Sequence, residues 1–509
     1  MPINPTIRAA VVALMMPGLV LAQTPLSVID WLEPSTGGPN LPPTILLEPP
    51  VSNSVLSPQI QVTPLEALLD PIGIVSSAAT GLPIDLWRGS DPQVLSRLID
   101  RVPVQHYPAM QSLLYTVLLS EARPPSNVAD ADTILLARLD RLMALGAVDP
   151  AQALAQQADP AGNTARFARW FDTTLLTGDE DVSCNTLISK PYLAPDDRSR
   201  IFCMARSGDW ETAALLLETA HALGTLPPPD LALLDRFLSP GIFEDAPPLS
   251  APSTPDPLTF RLYETIGERL PTTQLPRSFA AADLRDVAGW KAQLEAAERL
   301  TRIGALNPNQ LLGLYTDRRP AASGGIWDRV DAVQRFDTAL RTGSADAVSK
   351  TLPKVWKAMQ QAGLEVAFAD LFGDQLARID LQGPAGTLAW RIRLLSTSYE
   401  AAALMPAQGS DVFLVGLALG SPKSAYATTA RDQAISRGFS PDSRVSQDLQ
   451  RLLADGRLGE AILRTMEMFD RGAQGNLQDL SDAIAGFRAV GLEDTARRAS
   501  LQLLLLERS

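Results

Sequence analysis

The apolar residues of the segment 184–224 recur at the three- and four-residue spacing of amphipathic helices. A short helix is predicted to end near Ser207, a turn to follow at Gly208 and Asp209, and a longer helix to run from there to Gly224. The second helix carries its apolar residues on one face, at Ala213, Leu216, Leu217 and Ala220. The segment therefore predicts a helical hairpin that buries one side of its second helix.

Similar segments occupy most of the chain that follows residue 108. The segments 111–122, 131–146 and 150–157 each show the helical spacing of apolar residues, and none of them could shield its apolar face from water alone. Two turns between such segments share one pattern, at 146–150 and at 304–308. In both, Gly is expected to end a helix, Asp149 or Asn307 to cap the next helix, and Pro to take its first position.

A second type of turn, in which Gly is followed by a short run to Glu or Ala, occurs at 208–213, 456–461 and 491–496. The segments that contain these turns, at 204–224, 454–469 and 487–507, make the chain resemble tetratricopeptide-like helical repeat proteins. It also looks like an uncharacterised secreted bacterial protein. The fold class predicted is all-α, a helical-hairpin repeat array of the solenoid-like, superhelical kind with an extended Pro-rich N-terminal tail.

Proline-rich stretches divide the chain. The N-terminus, with Arg8 before an apolar run and a small-residue cleavage site at Ala22, is typical of a secretory signal peptide. The alternative, an uncleaved membrane anchor, is disfavoured because the apolar run is shorter than the roughly 20 residues that a span needs and is broken by Pro17. The predicted regions are a signal peptide (1–22), a Pro/Ser-rich extended or disordered tail (23–60), an N-terminal helical region (61–238), a Pro-rich linker with an irregular segment (239–279) and a C-terminal helical-hairpin array (280–509).

Export changes the interpretation of the two cysteines, because an oxidising compartment allows Cys184 and Cys203 to join. The loop that they close is worth roughly 3 kcal/mol in the chain-entropy model. A pair of buried free thiols is the alternative. A metal site is disfavoured because neither His106 nor His221 stands at ligand spacing from a cysteine, and the sequence indicates no cofactor. The predicted location is periplasmic or secreted.

The net charge of the chain and its lack of known catalytic motifs disfavour several classes of function. A net charge of −13 without a dense basic run disfavours nucleic acid as a partner. No catalytic sequence motif is found, and a turn or packing role is expected for both histidines. Glu264 and Glu268 stand one helical turn apart, which glycoside chemistry could use, but a salt-bridged or solvated surface is the preferred interpretation. The acidic run 179–181 is similarly interpreted as a solvated loop, with a cation site as the alternative.

Two segments have the pattern of binding sites. In the segment 315–329 a Ser-Gly-Gly turn enters a helix beside two arginines, which could form an anion site; an ordinary loop whose arginines pair with Asp317 or Asp328 is the preferred interpretation. The residues of this predicted anion loop are Arg318, Arg319, Ser323, Gly324 and Gly325. In the tail, a single amphipathic turn groups Val28, Trp31 and Leu32 as a docking motif, either for a partner or for the protein's own surface.

These observations favour a non-enzymatic periplasmic helical scaffold or adaptor that binds another envelope protein. The alternative is an envelope hydrolase of the peptidoglycan type, which would need two carboxylates facing each other in a helical groove, roughly 5 to 10 Å apart. A third hypothesis, binding of a small anionic ligand, depends on the anion loop alone. No membrane span is expected after cleavage of the signal peptide. The identity of the partner and the oligomeric state stay open.

Overall fold

The computed structural model of the chain describes residues 70–125, 131–407 and 409–506. The chain divides at Glu66, and all described residues belong to the second unit, Ala67–Ser509. The predicted signal peptide, the tail and its docking motif at Val28, Trp31 and Leu32 lie outside the described residues. Those three predictions therefore stay predictions.

Helices form almost all of the regular structure of the described residues. Two isolated bridges, Ile72 with Ala122 and Val75 with Ser120, are the β-type pairings found there. The first helices are α1 (Ser77–Thr80), α2 (Pro92–Arg101), α3 (Pro108–Leu119), α4 (Ala131–Leu145), α5 (Val148–Gln157), α6 (Thr164–Thr177), α7 (Glu180–Ser189), α8 (Asp197–Arg206), α9 (Trp210–Leu223), α10 (Pro228–Leu238), α11 (Pro257–Thr265) and α12 (Ala280–Asp283).

The second half of the unit is built in the same way. Its helices are α13 (Trp290–Thr301), α14 (Pro308–Asp317), α15 (Ile326–Thr342), α16 (Ala345–Ala362), α17 (Glu365–Leu376), α18 (Gly383–Leu394), α19 (Tyr399–Leu404), α20 (Val412–Ala418), α21 (Ala430–Phe439), α22 (Gln447–Ala454), α23 (Leu458–Ala473), α24 (Leu477–Ala489) and α25 (Glu493–Leu505). Helices that follow each other along the chain pack together, as in α8 with α9 and α23 with α24. The predicted all-α fold of packed helical hairpins is confirmed.

The hairpin of α8 and α9 forms as the sequence predicts. Gly208 has a φ of 88°, in the left-handed region that lets the chain reverse, and the side chain of Asp209 accepts a 3.1 Å hydrogen bond from the N–H of Thr212. On α9, Ala213, Leu217 and Ala220 are buried. The hairpin therefore buries the face that the apolar spacing indicates.

The two turns of the first type differ from each other. Asn307 caps α14 and Pro308 is the first residue of that helix, as predicted. At the other turn the prediction is wrong, because α5 begins at Val148, so Asp149 lies inside its first turn and caps nothing. The helix starts earlier because Ala147 and Val148 are both buried, and a helical turn at Val148 puts that side chain into the core.

The Pro-rich segment connects α10 to α11 and contains one short 3-10 turn, Pro240–Ile242. Prolines prevent a long helix there, as expected. Residues on both sides of the segment share one core, since Phe237 and Phe260 belong to the same buried cluster. The division into separate regions at 239–279 stays a prediction, but the expectation that helices resume only at Ala280 is wrong, because α11 (Pro257–Thr265) lies within that range.

The two larger buried clusters among the described residues each join segments that are far apart in the sequence. The larger cluster joins side chains between Leu82 and Ile303 to side chains between Trp390 and Leu503. The smaller one groups side chains between Ala280 and Leu395 with Leu506. The last helices therefore pack against the first ones, with α23 on α2 and α25 on α3, in addition to their neighbours in the chain.

The two cysteines form the predicted disulfide. Cys184 on α7 and Cys203 on α8 are bonded, with their Cα atoms 4.9 Å apart, and both are buried. A disulfide is compatible with an oxidising, extracytoplasmic environment. Among the described residues, no helix combines the length and the apolar character that crossing a bilayer requires.

Candidate functional site

A groove with a volume of about 710 Å³ lies where distant parts of the chain meet. We call it the central groove. Its walls come from α1, α3, the turn between α13 and α14, the turn between α16 and α17, and α25. Distant segments of the sequence therefore build the groove. Hydrogen bonds beside it join Gln111 to Arg302, 191 positions apart, and Ala109 to Gln502, 393 positions apart.

Two hydrogen bonds from α3 hold the turn that follows α13. The Nε2 of Gln111 donates to the carbonyl of Arg302 over 3.3 Å, and the hydroxyl of Tyr115 donates to the carbonyl of Ile303 over 3.2 Å. Gly304 completes this turn with a φ of 75°, and a Cβ atom there would lie 3.3 Å from the Tyr115 ring. Glycine is therefore required at this position both by the backbone conformation and by the close approach of α3.

The charged side chains that line the central groove are Arg302, Asp370 and Arg498. Burial raises the pKa of Asp370, although the charge of Arg498 and a hydrogen bond from the N–H of Thr397 act in the opposite direction. Arg302 is exposed, and its Nε donates to the carbonyl of Ala362 over 2.7 Å. The groove thus combines two guanidinium groups with one carboxylate.

A second cavity of about 230 Å³ adjoins the central groove and shares Thr80, Ser112, Thr116 and Arg498 with it. Two polar atoms in these walls are buried without a hydrogen-bond partner among the described residues: the hydroxyl of Thr301 and the Nε of Arg498. Thr301 is 7% exposed. Buried polar groups in folded proteins are nearly always paired, either within the protein or with ordered water.

Further arginines lie beside the central groove. The pKa of Arg299 is lowered by burial and then by the nearby charges of Arg277 and Arg302. Its guanidinium donates to two backbone carbonyls, those of Thr272 at 2.9 Å and Leu275 at 2.6 Å. Carbonyl groups solvate a guanidinium without neutralising its charge, so this edge of the groove is basic within an acidic protein.

A different cavity, of about 550 Å³, lies between α22, α23 and α24 and is lined by charges of both signs. Its arginines are paired internally. Arg457 and Arg464 both bind Glu460, which is fully buried, and Arg471 binds Asp479 over 2.6 Å. These pairs lie within α23 or join α23 to α24, so we interpret the cavity as a charged surface whose groups pair with one another.

The predicted anion loop lies in an exposed connection between α14 and α15, away from the lining of the central groove. The Nε of Arg318 donates to Asp317 over 2.9 Å, and the N–H of Gly324 donates to Asp328 over 2.9 Å. The pair of Arg318 and Asp317 is one that the ordinary-loop interpretation names, whereas Asp328 accepts from a backbone N–H and not from an arginine. Arg319, Ser323 and Gly325 are exposed. The anion loop stays a prediction. Two of its donors, the Nε of Arg318 and the N–H of Gly324, are already bound to carboxylates of the protein.

The predicted carboxylate pair is engaged by arginines. Glu264 binds Arg261 and Arg285, the latter over 2.5 Å, whereas Glu268 binds Arg236 over 2.6 Å. The salt-bridged interpretation of the pair is therefore correct. The solvated-loop interpretation of 179–181 is wrong for Glu180, whose side chain is fully buried and bound by Arg261 over 2.7 Å. The charge of Arg261 compensates the carboxylate there, which the local sequence does not reveal.

The two histidines have different surroundings. The Nε2 of His221 lies 3.0 Å from a carboxylate oxygen of Asp235, which ties α9 to α10. His106 stands in the bend before α3, in edge-to-face contact with the ring of Tyr107. Across the described ranges, the acidic, histidine and cysteine side chains form no cluster able to hold a metal ion. Sequence reasoning did not find Gln111, Tyr115 or Arg498, because no local motif marks residues that only tertiary packing brings together.

No protein-family model matches the chain, no curated protein is significantly similar to it, and no solved structure matches it. The resemblance to tetratricopeptide-like repeats therefore stays a prediction.

Proposed function

We propose that the protein is an exported, non-enzymatic helical scaffold that binds a segment of another envelope protein in the central groove. The observation that carries this proposal is the groove itself, about 710 Å³ with an adjoining cavity of about 230 Å³, built from turns and helix faces of both halves of the unit. Grooves of this size between helices are common ligand sites. The signal-peptide pattern and the disulfide support a periplasmic or secreted location.

No observation favours the alternative, an envelope hydrolase. Such an enzyme needs two carboxylates facing each other across the substrate. The central groove has a single carboxylate in its lining, Asp370, and the predicted pair of Glu264 and Glu268 is bound by arginines. The third hypothesis depends on the anion loop, where Arg318 is already paired.

Site-specific photo-crosslinking tests the proposed function. A photoreactive amino acid replaces Thr397, an exposed residue of the groove lining, in cells that export the full chain, and Lys354 on the exposed face of α16 provides the control position. We expect one discrete adduct from position 397 and none from position 354, with the attached protein identified by mass spectrometry.

A blocking variant makes the test specific. Ser112 is exposed on α3 and lines both cavities, so Ser112→Trp should occupy the groove and abolish the adduct from position 397. Ser189→Trp, at an exposed end of α7, is the matched control and should leave the adduct unchanged. An adduct that survives Ser112→Trp, or that forms equally from position 354, contradicts binding in the groove.

A further inference from the structure

The central groove is more basic than the protein that contains it. The chain carries a net charge of −13, yet two arginines and one carboxylate line the groove, and Asp494, 3.9 Å from Arg498, lines the adjoining cavity. Desolvation raises the pKa of Asp370, so this carboxylate is easier to protonate than an ordinary aspartate. Arg277 and Arg299 add positive charge beside Arg302. A local excess of positive charge in an acidic protein favours an anionic occupant.

Backbone groups add to this preference. Three helices begin beside the groove and its adjoining cavity without a side-chain cap, namely α5 after Ala147, α17 after Leu364 and α25 after Leu492. The first N–H groups of an uncapped helix lack intrahelical partners and attract negative charge, and each of these helices carries acidic side chains of its own in that turn. The hydroxyl of Thr301 and the Nε of Arg498 are two further polar atoms without hydrogen-bond partners among the described residues, although the Nη1 of Arg498 lies 3.9 Å from Asp494; both residues belong to the lining.

The volume of the central groove and the apolar residues in its lining restrict the kind of molecule that can bind there. The groove is far larger than an inorganic anion, and Leu306, Leu364 and Val366 line it together with the charged groups. A peptide segment satisfies both features, because its apolar side chains would cover the leucines while its carboxylates meet the guanidinium groups. A nucleic acid would be repelled by the net charge of the whole chain.

From these observations, and on the basis of the proposed function, we infer that the central groove binds an acidic segment of the partner polypeptide, with Arg302 and Arg498 as the residues that receive its carboxylates. Arg498 lies at the junction of the two cavities and Arg302 at an exposed edge of the larger one. Carboxylates at two positions of one extended segment would therefore be recognised. Exposed arginine contacts weaken with ionic strength, so binding should fall as salt rises.

Fluorescence polarisation with the full mature chain tests this inference. The probe is a labelled ten-residue peptide of alternating leucine and glutamate, and its control is the same peptide with glutamine at every glutamate position. We expect the glutamate peptide to bind at least tenfold more tightly in low salt, with the preference reduced at 0.5 M NaCl. Arg302→Gln and Arg498→Gln should each weaken binding of the glutamate peptide about tenfold, the effect of one lost charge-assisted hydrogen bond.

Arg318→Gln is the matched control, because Arg318 is an exposed arginine outside the groove lining. It should leave binding unchanged; if it weakens binding more than Arg302→Gln does, the anion loop is the site and the inference is overturned. Equal binding of the two peptides, or binding of neither, also overturns it. If inorganic phosphate binds and the glutamate peptide does not, the site takes small anions and the inference fails.

The outcome is separable from that of the proposed function. An adduct from position 397 that Ser112→Trp abolishes, together with no preference for the glutamate peptide, supports the scaffold and rejects the acidic segment. Circular dichroism checks that each variant is folded. Because Arg302 is exposed, Arg302→Gln provides a test even if Arg498→Gln disturbs the fold.

Discussion

The backbone N–H of Ala109, in the first turn of α3, donates a 2.8 Å hydrogen bond to Oε1 of Gln502 in α25. The two residues stand 393 positions apart in the chain, and both are buried. Helix α3 has no side-chain cap of its own. The bond to Gln502 therefore gives one N–H of its first turn a partner from the far end of the unit. The first and last helices thus stabilise each other, and the central groove lies between them and the middle of the chain.

A glycine to alanine exchange at a second contact between the two ends should be destabilising. Gly459 at the start of α23 donates a 2.9 Å hydrogen bond to the carbonyl of Leu86, and an added Cβ would lie 2.7 Å from the ring of Trp87. We expect Gly459→Ala to lower the free energy of unfolding by about 1 to 3 kcal/mol, because the backbones must separate. Urea unfolding followed by circular dichroism measures the loss.

Gly313→Ala provides the control for this exchange. Gly313 also lies within a helix, α14, but no atom outside its own helix comes within 4 Å of an added Cβ. Alanine there should be neutral or stabilise by up to about 1 kcal/mol through its higher helix propensity. A loss at Gly459 no larger than the change at Gly313 contradicts the close contact between α23 and the segment before α2.

Removing the buried carboxylate of Glu180 should cost much more than removing its exposed neighbour. The side chain of Glu180 is fully buried and bound by Arg261 over 2.7 Å. Glu180→Ala leaves Arg261 without this partner, and we expect a loss of about 3 to 5 kcal/mol in the free energy of unfolding. Asp181→Asn is the matched control, because Asp181 binds Arg206 but is 67% exposed, and its loss should stay below about 1 kcal/mol. Similar losses in the two variants would count against the buried ion pair.

The disulfide should stabilise the hairpin of α7 and α8 through loop closure. Cys184 and Cys203 are separated by 19 positions, for which the chain-entropy model gives about 3 kcal/mol. We expect the Cys184→Ala, Cys203→Ala double variant to unfold at lower urea concentration, with a loss near that value. A reductant should destabilise the original chain and leave the double variant unaffected. If the reductant changes neither, the bond is absent or contributes nothing measurable.

The stability of the protein should depend on pH through Asp172. Burial, then the negative charge of Asp256, raises its pKa to about 7, with Asp140 and Asp196 adding to the effect and Arg169 opposing it. Between pH 4 and pH 7 the folded chain therefore holds a proton that the unfolded chain has released. Stability contributed at this position is lost as the pH rises through that window and stays low above it.

Asp172→Asn tests this dependence, because the amide resembles the protonated acid. The variant should match the original chain near pH 4 and be more stable at pH 8, by on the order of 1 kcal/mol once partial exposure is allowed for. Asp286→Asn, at an exposed aspartate of the described chain, should show no such trend. A constant difference between Asp172→Asn and the original chain from pH 4 to pH 8 would falsify the raised pKa.

The local structure of this protein follows from short-range patterns in its sequence. Apolar residues at helical spacing, glycines such as Gly208 and a cap such as Asn307 act within a few positions of the chain, and the all-α hairpins follow from them. Cys184 and Cys203 could be paired because they are the two cysteines of a chain with an export signal pattern. The same local rules failed where packing overrides them, as at Val148, where burial starts α5 early.

The central groove and the burial of Glu180 depend on contacts between segments that are far apart in the chain. Arg302, Asp370 and Arg498 come from three distant segments, and their proximity depends on the packing angles summed over many helices. No pattern within a short window contains those angles. The local sequence around Glu180 is typical of a surface loop. Its burial is possible because Arg261, on a helix far along the chain, compensates its charge. Local periodicity specifies each helix, whereas long-range packing specifies which side chains share a site.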